Sequence, residues 1–162
     1  MVEVKKKAGK RKTAKKRKDE FCTFILEILD WDLPYLFSIN HNKIHGSGLY
    51  SEYLHLHIKG ILREPEMFKG KTISATFIGE RGLSEESNKC PVREALSVGT
   101  VTLRGDTRDF IGSLPFDIIS TVAPMLETQR LKYIQLHGQA PFRGHAPIRS
   151  IHFFRDYDPE EW

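Results

Sequence analysis

Residues 53–78 read YLHLHIKGILREPEMFKGKTISATFI, and the spacing of their apolar positions decides the fold class. Leu54, Leu56 and Ile58 fall on one side of an extended chain and Tyr53, His55, His57 and Lys59 on the other, because successive side chains of a strand alternate faces. Pro65 and Gly70 then punctuate the chain. Residues 72–78 follow with β-branched and aromatic types, and Ile73, Ala75 and Phe77 again share a side. The two runs are expected as antiparallel neighbours with one face on a core.

On the N-terminal side, residues 21–29 (FCTFILEIL) form a dense apolar run of strand length that stops at Asp30, Trp31, Asp32 and Pro34. Residues 35–39 fit a second short strand before a loop rich in Asn and Gly. The Gly46-Ser47-Gly48 in that loop leads into the extended segment 50–62 rather than a helix, so it lacks the setting of a phosphate cradle. On the C-terminal side, residues 83–91 are polar and read as an exposed connection, and 96–104 resume extension up to a Gly105-Asp106 turn. Ser113 suits an N-cap, Pro115 a first turn, and Phe116, Ile119, Val122 and Ala123 recur at helical spacing until Pro124. Residues 131–137 and 148–155 give two further strands, with an acidic tail at 156–161. The expected fold is mainly β, an antiparallel sandwich or partly open barrel of about six strands with one short helix.

Charge divides the chain. Ten of the 25 Lys and Arg (Lys5, Lys6, Lys7, Lys10, Arg11, Lys12, Lys15, Lys16, Arg17 and Lys18) stand in residues 1–18 beside one acid, Glu3. The remainder holds 15 basic against 20 acidic residues, so a mildly anionic body of residues 19–162 carries a cationic arm at 1–18. Like charges repel along the arm and little apolar surface is available to order it, so it reads as a disordered tether for phosphates or as a nuclear import signal. Fully extended it reaches roughly 60 Å. The plain reading is a solubilising terminus. Nucleic acid or another polyanion is the expected partner of the arm, and the β body is free for a protein partner or self-association.

Cys22 and Cys90 make neither a disulfide framework nor a metal pattern, which favours a reducing, intracellular setting, cytoplasmic or nuclear. The apolar run after the arm is interrupted by Glu27, Asp30 and Asp32, so no membrane span is expected. No Gly-x-Ser-x-Gly elbow occurs, and Cys90 lacks a readable activating partner.

Two clusters remain as candidate sites. In residues 138–149 (GQAPFRGHAPIR), Phe142 is interleaved with Arg143 and Arg149 in what reads as a long loop, a composition that stacks on bases or clamps anions. The plain alternative pairs its arginines with Asp156 and Asp158. The second cluster is His55 and His57, two apart on one strand face as sheet metal sites present imidazoles, with Glu64 beyond. Gly48, the His55-Leu56-His57 pair, Glu64 and Gly70 resemble the first metal motif of the cupins, which are double-sheet barrels. The gap before Glu64 is longer here and contains Gly60, and no second motif follows in order. That resemblance implies a metal-dependent enzyme with one divalent ion on His55, His57 and Glu64; otherwise the histidines form an ordinary polar sheet face and no cofactor is needed. His41 and His45 are four apart in a loop, without the intervening Glu of a zinc protease. Three functions are therefore in view: a non-enzymatic binding or assembly protein with a nucleic-acid-binding arm, a cupin-like metal enzyme, and a structural subunit of a nucleoprotein particle.

Overall fold

The computed structural model describes residues 20–39, 50–81, 83 and 97–160. The basic residues of 5–18, the histidines 41 and 45, Gly48 and Cys90 lie outside the described residues. The elements in order are β1 (Phe21–Asp32), β2 (Tyr35–Ile39), β3 (Tyr50–Glu64), a 3-10 turn (Glu66–Phe68), β4 (Thr72–Glu80), β5 (Gly99–Arg104), β6 (Thr107–Pro115), α1 (Phe116–Glu127), β7 (Tyr133–Gln139) and β8 (His145–Phe154). The chain is mainly β, as the alternation of residues 53–78 requires.

The strands run in the order β1-β7-β8-β5-β6-β4-β3-β2, and β3 also pairs with β1. That last pairing closes seven strands into a barrel and leaves β2 as an extension outside it, so the barrel is closed rather than partly open. All pairs are antiparallel except β4 with β6, which are parallel with Ala75 opposite Phe110. β1 meets β3 with register shifts at Ile25/Leu26 and Ile28/Asp30. Bulges of this kind bend a strand and increase its twist, which is what closing a sheet needs. Gly60 of β3 permits the approach, since a Cβ there would lie 2.6 Å from the Glu27 carbonyl oxygen.

The interior is packed rather than hollow. Phe24, Leu26, Leu56, Phe77, Phe110 and Leu136 are fully buried, and no buried polar or charged side chain occurs among the described residues. Phe77 and Phe110 meet at 5.2 Å between ring centroids. Gly99 and Gly112 make room for the Phe110 ring, because Cβ atoms at those positions would stand 2.6 and 2.4 Å from it. α1 buries Ile119, Val122, Ala123 and Leu126 against the ends of β3, β4 and β6.

Three expectations are adjusted. Residues 107–115 form a strand where none is read from the sequence, so Ser113 lies in β6 with its hydroxyl donating to Glu80, and Pro115 is the residue before the helix. α1 continues past Pro124, which is exposed, at the cost of the one main-chain hydrogen bond a proline inside a helix gives up. The helix ends as a Schellman motif, with Arg130 N–H donating to the Met125 carbonyl and Gln129, at φ 54°, to Leu126. Residues 138–149 are mostly strand. The link between β7 and β8 tightens at Phe142–His145, where main-chain bonds of 2.8 and 3.1 Å run both ways and Arg143 and Gly144 have φ of 51° and 84°. Two such central residues define a type I′ turn, whose twist matches the flanking strands.

Candidate nucleic-acid interface

β1 begins where the basic segment ends, and the main chain is secured there: Ala140 N–H donates to the Glu20 carbonyl at 2.8 Å, and Phe21 is in register with Gln139. Phe21 points outward and is half exposed. Its ring stacks on His137 at 5.6 Å with an interplanar angle of 11°, and the Arg149 guanidinium lies over the ring at 5.1 Å. His137 is oriented by Thr23, whose hydroxyl is 2.9 Å from Nδ1. Three elements thus contribute one tier each to an outward stack of cation, aromatic ring and imidazole: Arg149 from β8, Phe21 from β1 and His137 from β7.

Beside this stack stands the β7–β8 turn. Phe142 is 55% exposed, enough to offer a ring to a ligand, and the Arg143 guanidinium sits over it at 5.2 Å. Arg143 holds a left-handed backbone conformation that costs a non-glycine residue about 1–2 kcal/mol. The stem of Arg104 lies against Gly144, bringing a further cation to the same rim. Phe142, Arg143 and Arg149, grouped in the sequence as one loop cluster, are distributed over two neighbouring cation–aromatic units. Arg149 pairs with a ring rather than with the tail acids, and Asp158 instead accepts from the Glu160 N–H.

The histidine cluster has a different setting. His55 and His57 share the outer face of β3 in an edge-on contact at 5.8 Å, as their spacing requires. His57 Nδ1 is 3.0 Å from the hydroxyl of Thr76, its cross-strand neighbour. Glu64 is seven residues further along, about 23 Å at strand rise, and accepts a 3.0 Å hydrogen bond from Tyr157. Among the described residues no group of three or more His, Cys, Asp or Glu is placed to hold a metal ion. The same Thr–His pairing recurs at Thr23–His137 and, at 3.4 Å, Thr102–His145. These are cross-strand polar pairs of a sheet surface.

Two other features complete the outer surface. A cleft of ≈ 470 Å³ at the β1 bulge and the β5–β6 turn is lined by Asp30, Lys59, Ser74, Arg108 and Asp109, a mixture of signs that gives no net field for an anion. At the other tip of β1, Glu52 accepts from Arg81 and Tyr35, and Arg81 lies over Phe116 at 4.1 Å. The Arg81 hydrogen bond holds the Glu52 carboxyl below its usual range, and the hydrogen bond to Glu52 raises the Tyr35 phenol. Burial pushes the Cys22 thiol up, which keeps it protonated and unreactive at neutral pH.

Phe21 and His137 are the members of the candidate interface that sequence reading missed. Their signal was present but local: Phe21 directly follows the arm, and His137 alternates outward with Tyr133 and Gln135. Among the described residues no helix is long and apolar enough to cross a membrane. No family model, curated protein or solved structure matches the chain.

Proposed function

We propose that this chain is a non-enzymatic binding protein that engages nucleic acid, or a polyanion of similar charge, through the basic segment 5–18 and the cation–aromatic rim beside it. The observation that carries this reading is the Arg149–Phe21–His137 stack at the root of the basic segment, next to the Phe142–Arg143 turn. Lysines and arginines of the segment neutralise phosphates and supply affinity without sequence preference. The rim adds guanidinium planes and ring faces on which bases stack, which tolerates any base. The apolar interior of the barrel leaves recognition to the outer surface.

Binding of a fluorescent oligonucleotide across a salt series tests this. If about six cations contact duplex phosphates, log K falls against log salt with a slope near −5. Replacing the ten Lys and Arg of residues 5–18 by Gln in the full-length chain should flatten that slope. Arg149→Ala should weaken binding severalfold and reduce the slope by about one. Undiminished binding by the neutralised chain would reject the reading.

A further inference from the structure

Charge on the folded body is unevenly placed. Residues 128–155 hold five cations, Arg130, Lys132, Arg143, Arg149 and Arg155, and no Asp or Glu, whereas the rest of 19–162 holds ten basic against twenty acidic residues. This acid-free stretch is the β7–β8 hairpin with its two flanks. An anionic body therefore carries one hairpin that does not repel phosphates, and β1 brings the end of the basic segment against it, with Phe21 opposite Gln139.

Rings stand on successive rungs of the hairpin's outer side. Ile134 and Leu136 of β7 are buried in the core, so Tyr133, Gln135 and His137 face outward, with Phe154, His152 and Ser150 as their cross-strand partners on β8. The first rung offers His137, with the half-exposed Phe21 ring parallel to it. The second offers His152, which is exposed opposite Gln135 and packs at 5.5 Å against the Phe154 ring. The third offers Tyr133. Neighbouring rungs are two residues apart, about 6.8 Å at strand rise. Bases in one strand of a duplex are only about 3.4 Å apart, each stacked on the next. A base reaches every rung only by parting from its neighbours, which a single strand does readily and a duplex does not. Beyond Tyr133 the lane ends, because the Tyr157 ring stands against it at 5.6 Å and the exposed Asp156 and Asp158 flank that ring.

We infer that the ligand of this hairpin is a single strand of nucleic acid, laid along the outer side of β7 and β8 with bases against His137, His152 and Tyr133 in turn. The selection rests on the proposed function: the segment 5–18 supplies affinity for any nucleic acid, and the hairpin prefers the unpaired form. Arg149 and Arg155, both exposed, stand where a backbone crossing the three rungs enters and leaves. Ring faces accept any base, so the preference is for the form and not for the sequence.

The test titrates full-length protein into a fluorescent oligonucleotide, either single-stranded or annealed to its complement. The single strand should bind about tenfold more tightly than the duplex. His152→Ala, at an exposed position, should remove severalfold of the single-strand affinity and leave duplex affinity unchanged. Photocrosslinking of wild-type protein to a single strand carrying 5-bromouracil needs no substitution at all, and it should label peptides of β7 and β8 as well as the basic segment. Three results would overturn the inference while the proposed function stands: equal affinity for the two forms, a His152→Ala variant whose single-strand affinity is unchanged or falls together with duplex affinity, or crosslinks confined to the basic segment. A chain that binds neither form would sink the proposed function itself, and the single-strand lane with it.

Discussion

Between residues 55 and 64, β3 lies in the barrel wall, paired with β4 over 55–61 and with β1 over 57–64; between residues 50 and 54 its strand partner is β2. In the wall, alternation separates dry from wet: Leu56, Ile58 and Leu62 are buried while His57 and Lys59 face out. In the ribbon of β2 and β3 one side is wet throughout, with Leu36 55% and Tyr53 52% exposed across one rung, and on the other side Leu54 is still buried at the barrel's edge while its partner Tyr35 is 56% exposed. The same kind of residue alternation therefore stabilises only where a second layer covers one face, and the exposed Tyr35, Leu36, Phe37 and Tyr53 contribute little of it.

The most severe test lies in the wall. Phe110→Ala should destabilise the chain by about 3–5 kcal/mol in urea denaturation, because the ring is fully buried between Gly99 and Gly112 and little can collapse into its place. A loss under about 1 kcal/mol would mean that the barrel is not packed around that ring. Gly112→Ala should follow at about 1–3 kcal/mol, since its methyl collides with the Phe110 ring and the Val98 carbonyl. Tyr157→Phe should cost about 0.5–1.5 kcal/mol by leaving Glu64 without its donor. Burial, and secondarily that bond, raises the Tyr157 phenol above its usual value of 10, so its contribution is intact below pH 10 and is lost as pH climbs through the raised pKa. An alkaline titration of Tyr157→Phe should lack that loss. Leu36→Ala in the ribbon, where the side chain is 55% exposed, should stay within about 0.5 kcal/mol.

The smallest effect concerns the anchor of the ribbon. Glu52 is depressed below its usual 4.5, so the Arg81 and Tyr35 contacts persist above that value and are lost as pH falls through the lowered pKa. Amide resonances of residues 35–39 should then shift in acid, and Glu52→Gln should remove that shift.

β3 and β4 were legible because their apolar residues alternate, and β1 and β2 because each is a short apolar run bounded by polar breaks. β6 was not, because Gly112 gives up its side chain to Phe110 and Asp109 and Pro115 weaken the pattern; its pairing with β4 and β5 supplies what its own sequence does not. Residues 138–149 misled for a related reason. Gly138 is a strand residue whose Cβ would strike the Pro147 carbonyl at 2.1 Å, and Pro147, itself in β8, pairs with Thr100 of β5. Closure of the barrel depends on β1 meeting β3, a tertiary event with no local signature. The candidate interface divided in the same way: Arg143 beside Phe142 was readable as neighbours in sequence, whereas Arg149 over Phe21 joins opposite ends of the chain.

β1 joins the foot of the basic segment at Phe21 to the turn into the ribbon at Asp32. A strand of that length is a ruler of about 36 Å. Less whatever its two bulges take up, that length separates the cation–aromatic rim from the ribbon, so the two surfaces open at opposite ends of one strand.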